Sequence, residues 1–334
     1  MKAIKFFAIS AMAAAMITSC SSEDELSQSN YPSDNIIRVT AGVNNAKTRA
    51  DGQGVTAMDK DFSLTVVNKN TESTLPSKYT YIDKVFSKKS GDWACSETLL
   101  WQNDKTPVDI VAFAPAQTGK FNGVYANGSI QPIAYSVADD QSEKSDNNDL
   151  LYYYAKDFNP GTSLVNKKLS IQFNHAFCMI DINVTLGTEF NKPEVLKESP
   201  IVKVTLGGTK IEANVDVTKA ATSVVTASET AAATDITTTK GTFDKAANAE
   251  ANAKSYFSCI AIPQTVAANT FKVSLMTAGK RYEWTSAEPV ELKSGYRYTL
   301  ELSMGNNVVL LKGGSISASP WTEGDTGDKP LETD

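Results

Sequence analysis

The chain runs to 334 residues, 41% of them hydrophobic, with a formal net charge of −6. The apolar fraction supports a buried core and excludes wholesale disorder, and the length allows about two domains of ordinary size. The acidic balance, with a single His, excludes the basic field that nucleic acid or an anionic membrane surface would require.

Residues 1–20 read as an export signal. Lys2 and Lys5 form a short positive region, and residues 6–17 are an apolar run. Such a run is too short to span a bilayer, which needs about twenty residues. It ends in Ile17-Thr18-Ser19-Cys20, the pattern of a bacterial lipobox: a branched apolar residue, two small residues, then cysteine. The small residues let the chain enter a narrow peptidase site, and the Cys20 thiol supplies the nucleophile that takes the diacylglyceryl group. Two or more acyl chains anchor firmly, at about 0.8 kcal/mol per buried CH₂. Residues 21–35 are a polar tether. Its acidic start, Glu23-Asp24-Glu25, fits both a surface-export signal and a plain solvated linker.

The first strand is expected over 36–43. Ile37, Val39, Ala41 and Val43 fall on one face, Arg38 and Thr40 on the other. A polar, Gly-containing loop over 44–54 follows, carrying Lys47-Thr48-Arg49-Ala50, and it should be open to a protease. Short strands are expected over 62–66, 79–86, 98–101, 108–113 and 150–155. The stretch 139–149 is an acidic loop; Asp139, Asp140, Glu143, Asp146 and Asp149 lack EF-hand spacing and its glycine, so it reads as solvated. Asn159-Pro160-Gly161 is a strong turn and sets a domain boundary. The organisation is then signal peptide 1–20, tether 21–35, N-terminal domain 36–160, C-terminal domain 161–321 and polar tail 322–334.

The second half opens with period-two alternation at Leu169, Ile171, Phe173 and His175, then at Ile180, Ile182 and Val184. Residues 202–206 and 211–217 flank Gly207-Gly208 and read as a hairpin. Residues 218–254, rich in Ala, Thr and Ser, read as a long surface excursion with weak strand or helix content. A hairpin over 271–284 turns at Gly279, and Tyr296, Tyr298, Leu300 and Leu302 alternate cleanly. No amphipathic helix longer than about ten residues is found. The class is all-β, as two sandwiches.

No constellation points to an enzyme, a cofactor or a metal. His175 sits inside an apolar alternation and reads as a packed residue, with no GxSxG elbow to hold a nucleophile. Cys95, Cys178 and Cys259 match no zinc spacing. Cys178 and Cys259 read as buried small hydrophobes, with a bridge between them left open. Trp93, Trp101, Trp284 and Trp321 suit either sandwich cores or a sugar-stacking platform.

In order along the chain, DIVAFAP at 109–115, DLLYYYA at 149–155, LSIQFNHA at 169–176, IPQT at 262–265, YEW at 282–284, SGYRYTL at 294–300 and ISASPW at 316–321 resemble the fimbrillin-like family, pilus subunits of the Bacteroidota. The lipobox and the Arg49 loop fit the same family. The resemblance implies a type V pilin with two transthyretin-like β-sandwich domains in tandem, carried to the outer membrane and cell surface as a lipoprotein through Cys20. It implies cleavage between Arg49 and Ala50, loss of the first strand with Ile37, Val39, Ala41 and Val43, and strand exchange with other pilin subunits in a fimbrium that supports adhesion to a host or glycan ligand. Because 322–334 is polar, the donor falls in 307–321, with Val308, Val309, Leu310, Leu311 and Ile316 as its apolar residues. The competing reading is a lipid-tethered surface protein that binds glycans through exposed Trp.

Overall fold

The computed structural model describes residues 30–44, 58–70, 75–192, 194–311 and 316–321. Cys20, Arg49 and Ala50 lie outside the described residues, as do the signal peptide, most of the tether and the polar tail. The fold is all-β. The only α-helices among the described residues are single turns at Leu75–Lys78 and Pro160–Ser163.

In chain order the first strands are β1 (Val39–Val43), β2 (Phe62–Asn68), β3 (Tyr81–Lys89), β4 (Asp92–Cys95) and β5 (Val108–Ala114). The short strands β6 (Tyr125–Ala126), β7 (Ser129–Ile130) and β8 (Ile133–Ser136) follow, then β9 (Leu151–Phe158) and β10 (Leu169–His175). Seven of them form one sheet in the order β1-β10-β9-β5-β2-β3-β4. β5 is continuously apolar from Ile110 to Ala114 because both its faces are covered there. Val108, Ile110, Ala112 and Ala114 face a first core with Phe62, Leu64 and Trp101. Val111 and Phe113 face a second core, where Phe121 stacks on Phe113 with centroids 4.6 Å apart.

The remaining strands are β11 (Cys178–Leu186), β12 (Ile201–Gly207), β13 (Glu212–Val215), β14 (Val225–Ala227), β15 (Ile236–Thr237), β16 (Thr239–Asp244), β17 (Ala253–Ala261), β18 (Gln264–Val266), β19 (Lys272–Thr277), β20 (Arg281–Thr285), β21 (Val290–Leu292), β22 (Tyr296–Met304), β23 (Val309–Leu311) and β24 (Ser317–Pro320). One sheet runs β16-β17-β11-β22 with β23 and β24 on its far edge, and another runs β15-β12-β19-β20. The second core lies under both: Ile180, Ile182, Val184, Leu206, Val273, Leu275, Leu300 and Leu302 are buried there.

Three expectations change. β10, expected to open the C-terminal domain, lies between β1 and β9 of the first sheet. The chain crosses to the second sheet system at Ala176-Phe177, both fully buried, and not at residues 160–161. The boundary is blurred further because β8, from the first half, pairs with β13 of the second. The stretches around Gly207-Gly208 do not form a hairpin either. β12 pairs with β19 and β15, whereas β13 pairs with β14 and β8. Gly208 redirects the chain with φ +86°, and a Cβ there would come within 2.2 Å of the Thr270 carbonyl oxygen, so only glycine fits. Finally, residues 218–254 are more than an excursion. The weak strand content takes the form of β14, β15 and β16, each an edge strand of a different sheet, and the stretch leaves the surface to bury Val224, Val225 and Ile236. The hairpin of β19 and β20 forms as expected, with Met276 opposite Arg281.

Cys178 and Cys259 are neighbours across β11 and β17, opposite Ala261 and Ile180 respectively. Both are buried and free, and burial raises both thiol pKa values well above the ordinary range. Cys95 is half-buried. In protein lacking residues 1–20, a water-soluble thiol reagent therefore titrates one cysteine in the native state, and the other two react only after unfolding.

Candidate assembly site

The segment around β1 is held on two sides. Its first part joins the stretch after β4: the Ile37 N–H donates to the Leu99 carbonyl at 2.9 Å, and the Trp101 N–H donates to the Asn35 carbonyl at 2.8 Å. Its second part runs parallel to β10, with Val39 to Val43 in register with Leu169 to Phe173. The Leu169 N–H donates to the Arg38 carbonyl and the Asn44 N–H to the Phe173 carbonyl, closing that ladder at both ends. Ile37, Val39 and Val43 are 4%, 3% and 2% exposed and belong to the first core. Ala41 is half-buried, and Thr40 points outward.

A fork not anticipated from the sequence fixes the approach to this strand. Both Asp34 carboxylate oxygens accept from the Arg38 guanidinium, at 2.9 and 2.6 Å, and Oδ1 also accepts from the Ile36 N–H. The Arg38 hydrogen bond is the main reason the Asp34 carboxyl titrates far below the usual carboxylate range. The only available signal was the i, i+4 spacing of opposite charges, which is weak outside a helix.

The candidate donor residues lie on the edge of the sheet that contains β22. β23 and β24 pair antiparallel with β22, at Leu302 to Met304 and at Tyr296 to Thr299 respectively. Val309 is buried, whereas Val308 is 49% and Leu310 59% exposed; Leu311 and Ile316 are half-buried. β24 offers only Ser317, Ala318, Ser319 and Pro320, so little apolar surface holds it down. Beneath these strands lies a groove of about 810 Å³, lined by Trp284, Val290, Tyr296, Tyr298, Leu311 and Ile316 among others. Burial pushes the Tyr298 hydroxyl pKa up to about 12, and that hydroxyl accepts from the Lys293 N–H.

Of the other singled-out residues, His175, Trp101 and Asp149 are buried, whereas Asp139 and Asp140 are exposed. His175 is 4% exposed; its Nδ1 lies 3.1 Å from Asp149 Oδ1, and its ring stacks on Trp321 with centroids 3.8 Å apart. Trp101 is buried and stacks on Phe158, and Trp93 packs edge-on against Phe62. Trp93 and Trp101 thus belong to the first core and Trp284 packs on the second, while Trp321 stacks on His175 of β10. In the acidic loop, Asp139 and Asp140 accept from nearby backbone N–H groups, and Asp149 faces His175. Among the described residues no group of three or more His, Cys, Asp or Glu is placed to hold a metal ion. Arg297 and Asp181 form an ion pair across β22 and β11, and both are less than 10% exposed. It escaped the sequence because nothing in either strand's alternation marks a charge as buried.

Comparison with known proteins places this architecture. A family model described as fimbrillin-like matches residues 48–321. A candidate cell adhesion protein from Bacteroides ovatus superposes with a TM-score of 0.61 at 15% identity, covering 86% of this chain and 97% of that one. A candidate cell adhesion protein from Bacteroides uniformis gives 0.54 at 13%, over 87% and 100%. A fimbrial protein from Bacteroides vulgatus gives 0.51 at 15%, over 86% and 99%. No curated protein sequence matches the chain. At these identities the structures speak for the fold, while the family match spans most of the sequence: the chain belongs to the fimbrillin-like family.

Proposed function

We propose that this protein is a structural subunit of a type V fimbria, exported as a lipoprotein through Cys20, cut between Arg49 and Ala50, and assembled by strand exchange between subunits at the cell surface, where the fimbrium supports adhesion. The observation that carries the reading is β1 itself. It is a short edge strand whose Ile37, Val39 and Val43 fill the first core, and it stands just before the Lys47-Thr48-Arg49-Ala50 loop. Fully burying an Ile or Val is worth about 1.5–3 kcal/mol, so three contribute roughly 5–9 kcal/mol. A domain's whole stability is about 5–15 kcal/mol. Cleavage that lets this strand go leaves an apolar slot and the unpaired backbone of β10, which an incoming strand satisfies together. The C-terminal stretch with β23 and β24 is the natural donor. It is an interrupted edge strand, thinly anchored and carrying exposed Val308 and Leu310. The fimbrial protein of Bacteroides vulgatus that shares the fold supports the same reading.

Treatment with an arginine-specific protease tests it. Wild-type protein should yield filaments by negative-stain microscopy, and the Arg49→Ala variant should stay monomeric. Equal filament formation by both would remove cleavage from the mechanism.

A further inference from the structure

β10 is held unevenly. Leu169 to Phe173 pair with β1, whereas β10 pairs with β9 only at Asn174 and His175. If β1 leaves, five of the seven β10 residues lose their strand partner, and the strand remains laddered at its last two positions alone. One of these is His175, the residue that meets the C-terminal strand.

A closed ring of contacts joins the two. From His175 the chain runs through buried Ala176 to Phe177. The Gly295 N–H donates to the Phe177 carbonyl at 2.9 Å, and the Trp321 N–H donates to the Gly295 carbonyl at 2.7 Å. The Trp321 indole then returns onto the His175 imidazole, nearly parallel at 16°. Gly295 serves both strands from a left-handed conformation, φ +71°, which costs other residues strain. Trp321 directly follows β24, whose own residues are small. The stack is therefore the largest side-chain anchor at that end of the strand.

We propose that β10 couples the two ends of the assembly cycle: with β1 in place, His175 clasps Trp321 and keeps β24 on β22; when β1 departs, β10 loosens, the clasp opens and the C-terminal strand is released. A subunit would then offer its donor strand only once its own slot is empty, which prevents self-assembly before cleavage. This rests on the reading that β1 is the strand lost. The physical requirement for such coupling is an element with two arrangements that both ends bias, and β10 is the strand that touches both.

Hydrogen exchange on the full secreted chain tests the clasp. In uncut protein, Trp321→Ala should raise exchange several-fold, up to about tenfold, at the Trp321-adjacent amides of β24, the loss expected for one aromatic stack. Because the coupling is reciprocal, exchange at Val39 to Val43 through release of β1 should rise by a similar factor. Trp321→Phe keeps a stacking ring and should behave nearly as wild type. Wild-type protein cut at Arg49 and stripped of the released segment that carries β1 should match uncut Trp321→Ala at β24. Unchanged β24 protection after β1 is removed would overturn the coupling, and filaments forming under that condition would still leave strand exchange standing. Loss of β24 protection with no filaments would support the coupling and count against the fimbrial reading.

Discussion

Replacing Ile37 and Val39 together by alanine should lower the stability of the first core by about 5 kcal/mol. Each side chain is less than 5% exposed and packs in the cluster that contains Phe62, Leu99 and Phe173. Truncating a buried Ile to Ala costs about 2–5 kcal/mol, and the smaller Val somewhat less. The edge position does not soften this, because the residues sit between two partners, the 99–101 stretch and β10. Urea unfolding followed by fluorescence of Trp101, buried in the same core, reads the loss directly. The outward-facing Thr40→Ala change should stay within about 0.5 kcal/mol. A double variant as stable as wild type would mean that the strand seals nothing, and withdrawing it would then create no acceptor.

The second large effect lies in the sheet of β11 and β22. Asp181→Ala should destabilise it by about 3–5 kcal/mol, because it removes the carboxylate facing a guanidinium that is only 9% exposed. Restoring shape without charge, as Asp181→Leu with Arg297→Met, should recover most of that loss, since a buried pair is often worth no more than well-packed apolar side chains. The pair also borders the C-terminal strand. Arg297 stands on β22 opposite Ser319 of β24, so the single variant should loosen the C-terminal strand as well as the sheet. Thermal unfolding of the single and double variants separates these outcomes, and a double variant as poor as the single would show that the charges themselves are needed.

The sequence exposed those parts of the fold that depend on period. Alternation in β1, β10, β11 and β22 placed their buried faces, because one side of each strand meets a core and the other does not. It could not place the partners. β10 reads the same whether it opens a second domain or completes a first, and only the sheet shows it beside β1. The turn at Gly207-Gly208 carries the composition of a hairpin, yet the contact of Gly208 with the Thr270 carbonyl sends the next strand to a different sheet. Weak strands such as β15 and β16 exist because neighbouring edges recruit them, which no local propensity reports. At the assembly site the apolar residues of β1 were legible. The Asp34–Arg38 fork and the His175–Trp321 stack were not, since both depend on chain segments meeting in space.

On the strand-exchange reading proposed above, the place of β1 on β10 is taken by the C-terminal strand of another molecule. Cross-linking of filaments grown from an equal mixture of ¹⁴N- and ¹⁵N-labelled protein, followed by mass spectrometry of the linked peptides, measures this. Strand exchange predicts mixed-isotope links between the 167–168 lysines at the start of β10 and the C-terminal stretch of a neighbour, with residues 30–44 missing from the filaments. Links from β10 that reach only residues 30–44 of the same chain would contradict it.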